Sequence, residues 1–179
     1  MSFNFENLDQ ITRVLMEDEV NYDIQNNRLY ISHRLTELGR LNYSRLLKKA
    51  IADGNEVSLG NDLKNQNCIK AKEERRTKNG IQLVNVPATA NETLAEGEFN
   101  RFYIRALCRR LLEDKIGILE IYRAKHVLNP RSESQMIIGK TRDPESLLND
   151  LRTNIGVEPA LGLPKGPNSG LSIHLLVRR

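Results

Sequence analysis

The chain contains no tryptophan and only five tyrosines and four phenylalanines in 179 residues. That scarcity argues against an aromatic-rich sheet on which nucleic-acid bases would stack. Cysteine is rarer still. Cys68 and Cys108 lie 40 positions apart, whereas a secreted disulfide scaffold carries more cysteines at closer spacing. Two reduced thiols in a cytoplasmic protein is the expected state. No run approaches the ~18 consecutive apolar residues of a membrane span. The opening MSFNFENLDQ has no basic region followed by an apolar stretch, so neither a membrane partner nor a signal peptide is expected. Three histidines, His33, His126 and His174, share no ligand spacing, and no Ser-His-Asp or Cys-His order stands out. No metal site and no cofactor is implied.

Charge is present, and its placement is informative. The net charge is only +4. Between Lys64 and Lys78, however, six basic residues (Lys64, Lys70, Lys72, Arg75, Arg76 and Lys78) face Glu73 and Glu74 alone. That segment carries the whole excess, leaving 21 basic and 21 acidic side chains for the remainder. The hydrophobic fraction of 39% lies below the usual globular range and the charged fraction of 28% slightly above it. A modest core with long polar loops follows, and the length suits a single domain over 1–179.

Apolar spacing at Leu8, Ile11, Val14 and Leu15 predicts a short first helix. YDIQNNRLYIS (22–32) predicts a β-hairpin turning at Asn26-Asn27. Asn42 is a candidate cap for a helix with the stripe Tyr43, Leu46, Leu47, Ala50 and Ile51, closed by Gly54. From 55 to 80 apolar periodicity dissolves, which predicts a long basic loop. IQLVNV (81–86) reads as a strand ended by Pro87. Thr93 and Glu96 offer a capping box, in competition with Thr89 and Glu92, for a helix through EFNRFYIRALCRRLL (98–112). Residues 118–127 and 135–139 read as strands. Asp143-Pro144 opens a helix through Leu147, Leu148, Leu151 and Ile155, stopped by Gly156. Residues 156–170 form a Pro/Gly-rich connector, and LSIHLLV (171–177) a last strand. Four helices and about six strands in mixed order predict an α+β fold with a mixed or mainly antiparallel sheet.

Two features carry functional expectations. On a helical projection Arg101, Arg105 and Arg109 form one stripe, suited to phosphate contact, to paired exposure or to a subunit interface. Arg110 falls nearer the apolar side, where it is expected to snorkel or to pair with an acid. The basic loop (Lys64, Lys70, Lys72, Arg75, Arg76, Lys78) is the stronger candidate for a sequence-tolerant grip on a nucleic-acid backbone or another polyanion. A non-enzymatic binding protein is therefore the first expectation.

The alternative is a self-assembling structural subunit, a shell or filament of cellular or viral origin, whose segments at 55–80 and 156–170 reach a neighbour and make a homo-oligomer. A third reading is a metal-dependent nuclease. Asp53 with Asp62-Leu63-Lys64 matches the loose D…[DE]-x-K pattern, although its second half belongs on a strand and Gly60-Asn61 points to a loop. Glu96, Glu98 and Glu120 supply further acids with no pairing legible in sequence. GLPKGPNSG (162–170) resembles a phosphate-binding loop through its glycines, Lys165 and Ser169, but leads into a strand rather than a helix. Cys108 lies near the arginines, which would lower its pKa; a buried structural thiol is the competing reading.

Overall fold

In a computed structural model, residues 2–78, 80–156 and 169–177 are described. The organising element is α4 (Ala90–Asp114), ~37 Å long at 1.5 Å per residue. It passes through Gly97 without a break. From Glu98 to Cys108 every residue is buried, so the helix is enclosed on all sides rather than lying on a surface. Around it pack α1 (Gln10–Gln25), α3 (Glu56–Asn65) and α6 (Pro144–Thr153). The remaining side is closed by an antiparallel sheet in the order β4 (Thr141–Arg142), β3 (Ile118–Arg123), β5 (Leu171–Leu176). Phe99, Phe102, Tyr103, Ile104 and Leu107 meet Leu15, Met16 and Val20 of α1, Leu147 and Leu151 of α6, and Ile121 and Ile173 of the sheet in one core.

The expected α+β class and antiparallel pairing are present, with six helices among the described residues rather than four. Several element assignments are corrected. Helix α1 runs on through the first half of the expected 22–32 hairpin. Its buried stripe continues from Leu15, Met16 and Val20 through Glu19 and Asp23, and two acids on the inner face disguise the period. Asn27 does adopt φ 54°, but it follows the end of a helix instead of turning a hairpin.

Helix α2 (Glu37–Asp53) starts at a Thr36 cap, whose hydroxyl accepts the Gly39 N–H at 2.9 Å, and Asn42 lies inside it. Its stripe and the closing Gly54 are as expected. Helix α4 begins at Ala90 after Thr89, which makes no side-chain cap.

The expected loop at 55–80 is a helix followed by a strand. Asn55 and Ser58 cap α3 reciprocally at 2.9 and 3.0 Å. Its inner face holds Leu59 and Leu63 with Gly60 closing on Ala95, too few apolar positions to register as a period. The sequence then enters β1 (Lys72–Thr77), paired antiparallel with β2 (Gly80–Asn85) from Lys72↔Asn85 to Thr77↔Gly80.

Residues 135–139 are not a strand. They follow the one-turn helix α5 (Ser132–Gln135) into a bend at Gly139 (φ 81°). Gly139 N–H to Ile121 O (2.8 Å) and Ile121 N–H to Lys140 O (3.0 Å) then seat the chain against β3. Asp143 caps α6 at 2.8 Å with Pro144 at its first position, as the sequence implies. Of the 156–170 connector, residues 157–168, including Lys165, lie outside the described residues. No helix among those described is long and apolar enough to cross a membrane.

Candidate polyanion-binding surface

Strand β1 reads KEERRT, a poor strand by propensity, and its pairing with the uncharged GIQLVN of β2 holds it extended. Two-stranded ribbons are marginal in water, and this one is pinned at its base. The Glu73 carboxylate takes a bidentate grip from Arg34, at 2.7 Å from Nε and 2.8 Å from Nη2, and lies 3.0 Å from His33 Nε2. The Lys70 ammonium donates to His33 O at 2.8 Å, and Lys70 N–H donates to Arg34 O at 2.9 Å. Leu35 and Ile69 close an isolated bridge below.

Beyond that base, Lys72, Arg75, Arg76 and Lys78 are exposed, and none forms an ion pair with a described residue. Alternation along β1 places Lys72 and Arg76 on one face and Arg75 on the other, with Lys78 following at the tip. Lys64, in the last turn of α3, and Lys70 flank an open cleft of about 240 Å³ at the hairpin base. Asn67 and Asn91 with Ile69 and Val86 line it, and no carboxylate is among its lining residues. The six basic residues singled out in the sequence are therefore brought to one region, on a helix end, an extended segment and a ribbon rather than on a loop. The clamp formed by Arg34 and His33 has no signal in sequence, because it depends on a contact about 40 residues away.

The hydrogen bonds from Arg34 and His33 hold Glu73 down, to about 2 from its ordinary 4.5. A depressed carboxylate stabilises above its unfolded value and loses that contribution as pH falls through its folded value. Amide-exchange protection across β1 and β2 is therefore expected to be intact at pH 5 and to decline from ~4.5 toward ~2. Glu73→Gln should lose part of that protection at neutral pH. Protection unchanged across that range would show that the clamp does not hold the ribbon.

The arginine stripe is corrected. Arg101 is 2% and Arg105 0% exposed. Arg101 reaches Glu98 (3.2 Å) and the carbonyls of Leu151 and Asn154 (3.2 and 2.9 Å), fastening α4 to α6. Arg105 lies between Glu19 and Asp23 of α1. Arg109 is partly exposed but engaged by Asp18 and Glu113 at 3.1 and 3.0 Å. Neither buried arginine can reach a polyanion, because the face they share is the packing face of α4 against α1 and α6. Arg110 pairs with Asp9 at 2.6 Å, as its position suggested.

The thiol of Cys108 is pushed up by burial, not lowered by its arginine neighbours. Cys68 and Cys108 are both free and buried. Asp62 sits on α3, not on a strand, and pairs with Lys49 at 2.9 Å, so the nuclease pattern lacks its required context. Among the described residues no group of three or more His, Cys, Asp or Glu is placed to hold a metal ion. His174 rests on the Tyr122 ring with Glu6 at 2.6 Å and Glu120 at 3.4 Å, fastening the N-terminal segment to the sheet. Glu96 pairs with Lys125.

No protein-family model, curated protein or solved structure matches this chain.

Proposed function

We propose that this protein binds a polyanion, a nucleic-acid backbone foremost, through the β1–β2 ribbon and the two lysines at its base. The observation that supports this reading is the contrast in pairing. The arginines of α4 have carboxylate partners, whereas Lys72, Arg75, Arg76 and Lys78 on the ribbon have none among the described residues. Cations on both faces and at the tip suit phosphate contact that neutralises charge without reading base edges. Binding would then be driven by counterion release and would tolerate sequence.

The test is anisotropy of labelled oligonucleotides of unrelated sequence from low to moderate salt. With ~3–5 phosphates contacted, log Kobs should fall against log[salt] with a slope of roughly −3 to −5. Arg75→Gln with Arg76→Gln should flatten that slope by about 2 and weaken all sequences alike. No binding at low salt, or a slope indifferent to the double substitution, overturns the reading.

A further inference from the structure

The two strands of the ribbon protect their edges differently. β1 carries a charge at five of its six positions and β2 at none. Ladder parity shows which backbone groups of β2 are free. Val86 N–H donates to Ala71 O at 2.9 Å, and these two residues lie opposite each other when the register is continued by one. The pairs that exchange hydrogen bonds are therefore Glu73 with Val84, Arg75 with Gln82 and Thr77 with Gly80. The N–H and C=O of Ile81, Leu83 and Asn85 point away from β1, and no described residue meets them. On one face of that same edge Ile81 is 71% and Leu83 65% exposed. Natural sheets guard such edges with charge, proline or cover. Among the described residues this edge has none along its length, since Pro87 comes two residues past its end.

We propose that β2 pairs antiparallel with β2 of a second copy about a two-fold axis at Leu83, making a four-stranded sheet with both β1 strands outermost. Outward-pointing residues must oppose outward-pointing residues. Centring on Leu83 meets that condition for Ile81, Leu83 and Asn85 together and engages every free group of the strand. Leu83 then faces its own symmetry mate with Ile81 on the diagonal, so four exposed apolar side chains cover one another. A second copy fits because it brings the same free backbone groups and the same exposed Ile81 and Leu83, so that the edge is self-complementary about the axis. The two β1 strands, with their like charges, stay three ladder spacings apart, about 14 Å, beyond the ~8 Å screening length at physiological salt. The interface is small, so association is weak and depends on concentration. This inference stands or falls independently of polyanion binding.

Sedimentation velocity across a wide concentration range tests it, with Leu83→Lys and, as control, Leu41→Lys, which places the same charge at an 80% exposed leucine of α2. The wild type should move from the 20.5 kDa monomer toward twice that mass. Leu41→Lys should do the same, and Leu83→Lys should stay monomeric with an unchanged circular dichroism spectrum. In the wild type, amide exchange at Ile81, Leu83 and Asn85 should slow as concentration rises. A monomer at every concentration, association of Leu83→Lys equal to wild type, or equal loss in both variants overturns the proposal.

Discussion

Replacing Arg105 by alanine is expected to remove about 3–5 kcal/mol of stability, the usual cost of stranding a buried charge by deleting its partner. That is a large share of the ~5–15 kcal/mol by which a domain is stable. Arg105 donates from Nε to Glu19 at 2.8 Å, and from Nη1 and Nη2 to Asp23 at 2.6 and 2.8 Å. Its guanidinium carbon also lies 5.0 Å from the centre of the Phe102 ring. Glu19 would keep Arg152 at 2.5 Å. Asp23 has no second ion-pair partner among the described residues, so most of the cost falls there. Had the stripe been solvated, the same change would cost ~0–1 kcal/mol. Urea denaturation at neutral pH separates the two outcomes.

The loss should also depend on pH. Burial raises the pKa of Glu19, but hydrogen bonds and charge from Arg152 and Arg105 more than offset it and hold the carboxyl below its ordinary value. Its contribution is therefore present above the unfolded value and is lost as pH falls through the lower folded value. In Arg105→Ala the part of that lowering of Glu19 that comes from Arg105 is gone, so the destabilisation should be smaller near pH ~4 than at pH 7. Arg105→Met with Asp23→Asn, which removes cation and anion together, should recover much of the loss. Equal destabilisation by the single and double changes would show that the two residues are not coupled.

Gly39→Ala is expected to destabilise even though alanine ordinarily improves a helix interior by ~1 kcal/mol over glycine. Gly39 lies in the first turn of α2 against the backbone of Cys68. A Cβ there would overlap the Cys68 carbonyl oxygen and come within 3.0 Å of its carbon and Cα. That same carbonyl accepts the Thr36 N–H at 2.9 Å, beside the Leu35–Ile69 bridge that roots the ribbon. A backbone neighbour cannot step aside like a side-chain tip, so overpacking of about 1–3 kcal/mol should outweigh the propensity gain. Gly97→Ala on α4 is the matched control. Nothing lies within 4 Å of its added Cβ, so it should stabilise by up to ~1 kcal/mol. Thermal melts of the pair read opposite signs. Equal shifts would mean that the Cys68 contact yields freely.

The elements legible in sequence are those whose signals are local. The Asp143-Pro144 start of α6, the alternation of Leu171, Ile173 and Leu175 in β5, and the stripe from Tyr43 to Ile51 in α2 each follow from a cap or a period within one segment. Where polar residues occupy inner positions, the period misleads. Glu19 and Asp23 broke the reading of α1, and the charges of KEERRT hid a strand that exists because GIQLVN pairs with it. For the same reason the α4 arginines look solvent-facing in sequence, since nothing local distinguishes an arginine awaiting Glu19 from one facing water.

By itself the sequence determined the α+β class, the apolar stripe of α2, the cap of α6 and the concentration of the whole net positive charge between Lys64 and Lys78. Each of these depends on composition or on neighbours a few positions apart. Only the tertiary structure decided which cations have partners. Arg105 meets Glu19 from 86 positions away and Arg34 meets Glu73 from 39. Burial next to an acid and exposure without one are properties of contacts made through space. That is why the arginines of α4 became the fastening of α1 and α6 to the central helix, while Lys72, Arg75, Arg76 and Lys78 stand exposed with no acid paired to them among the described residues.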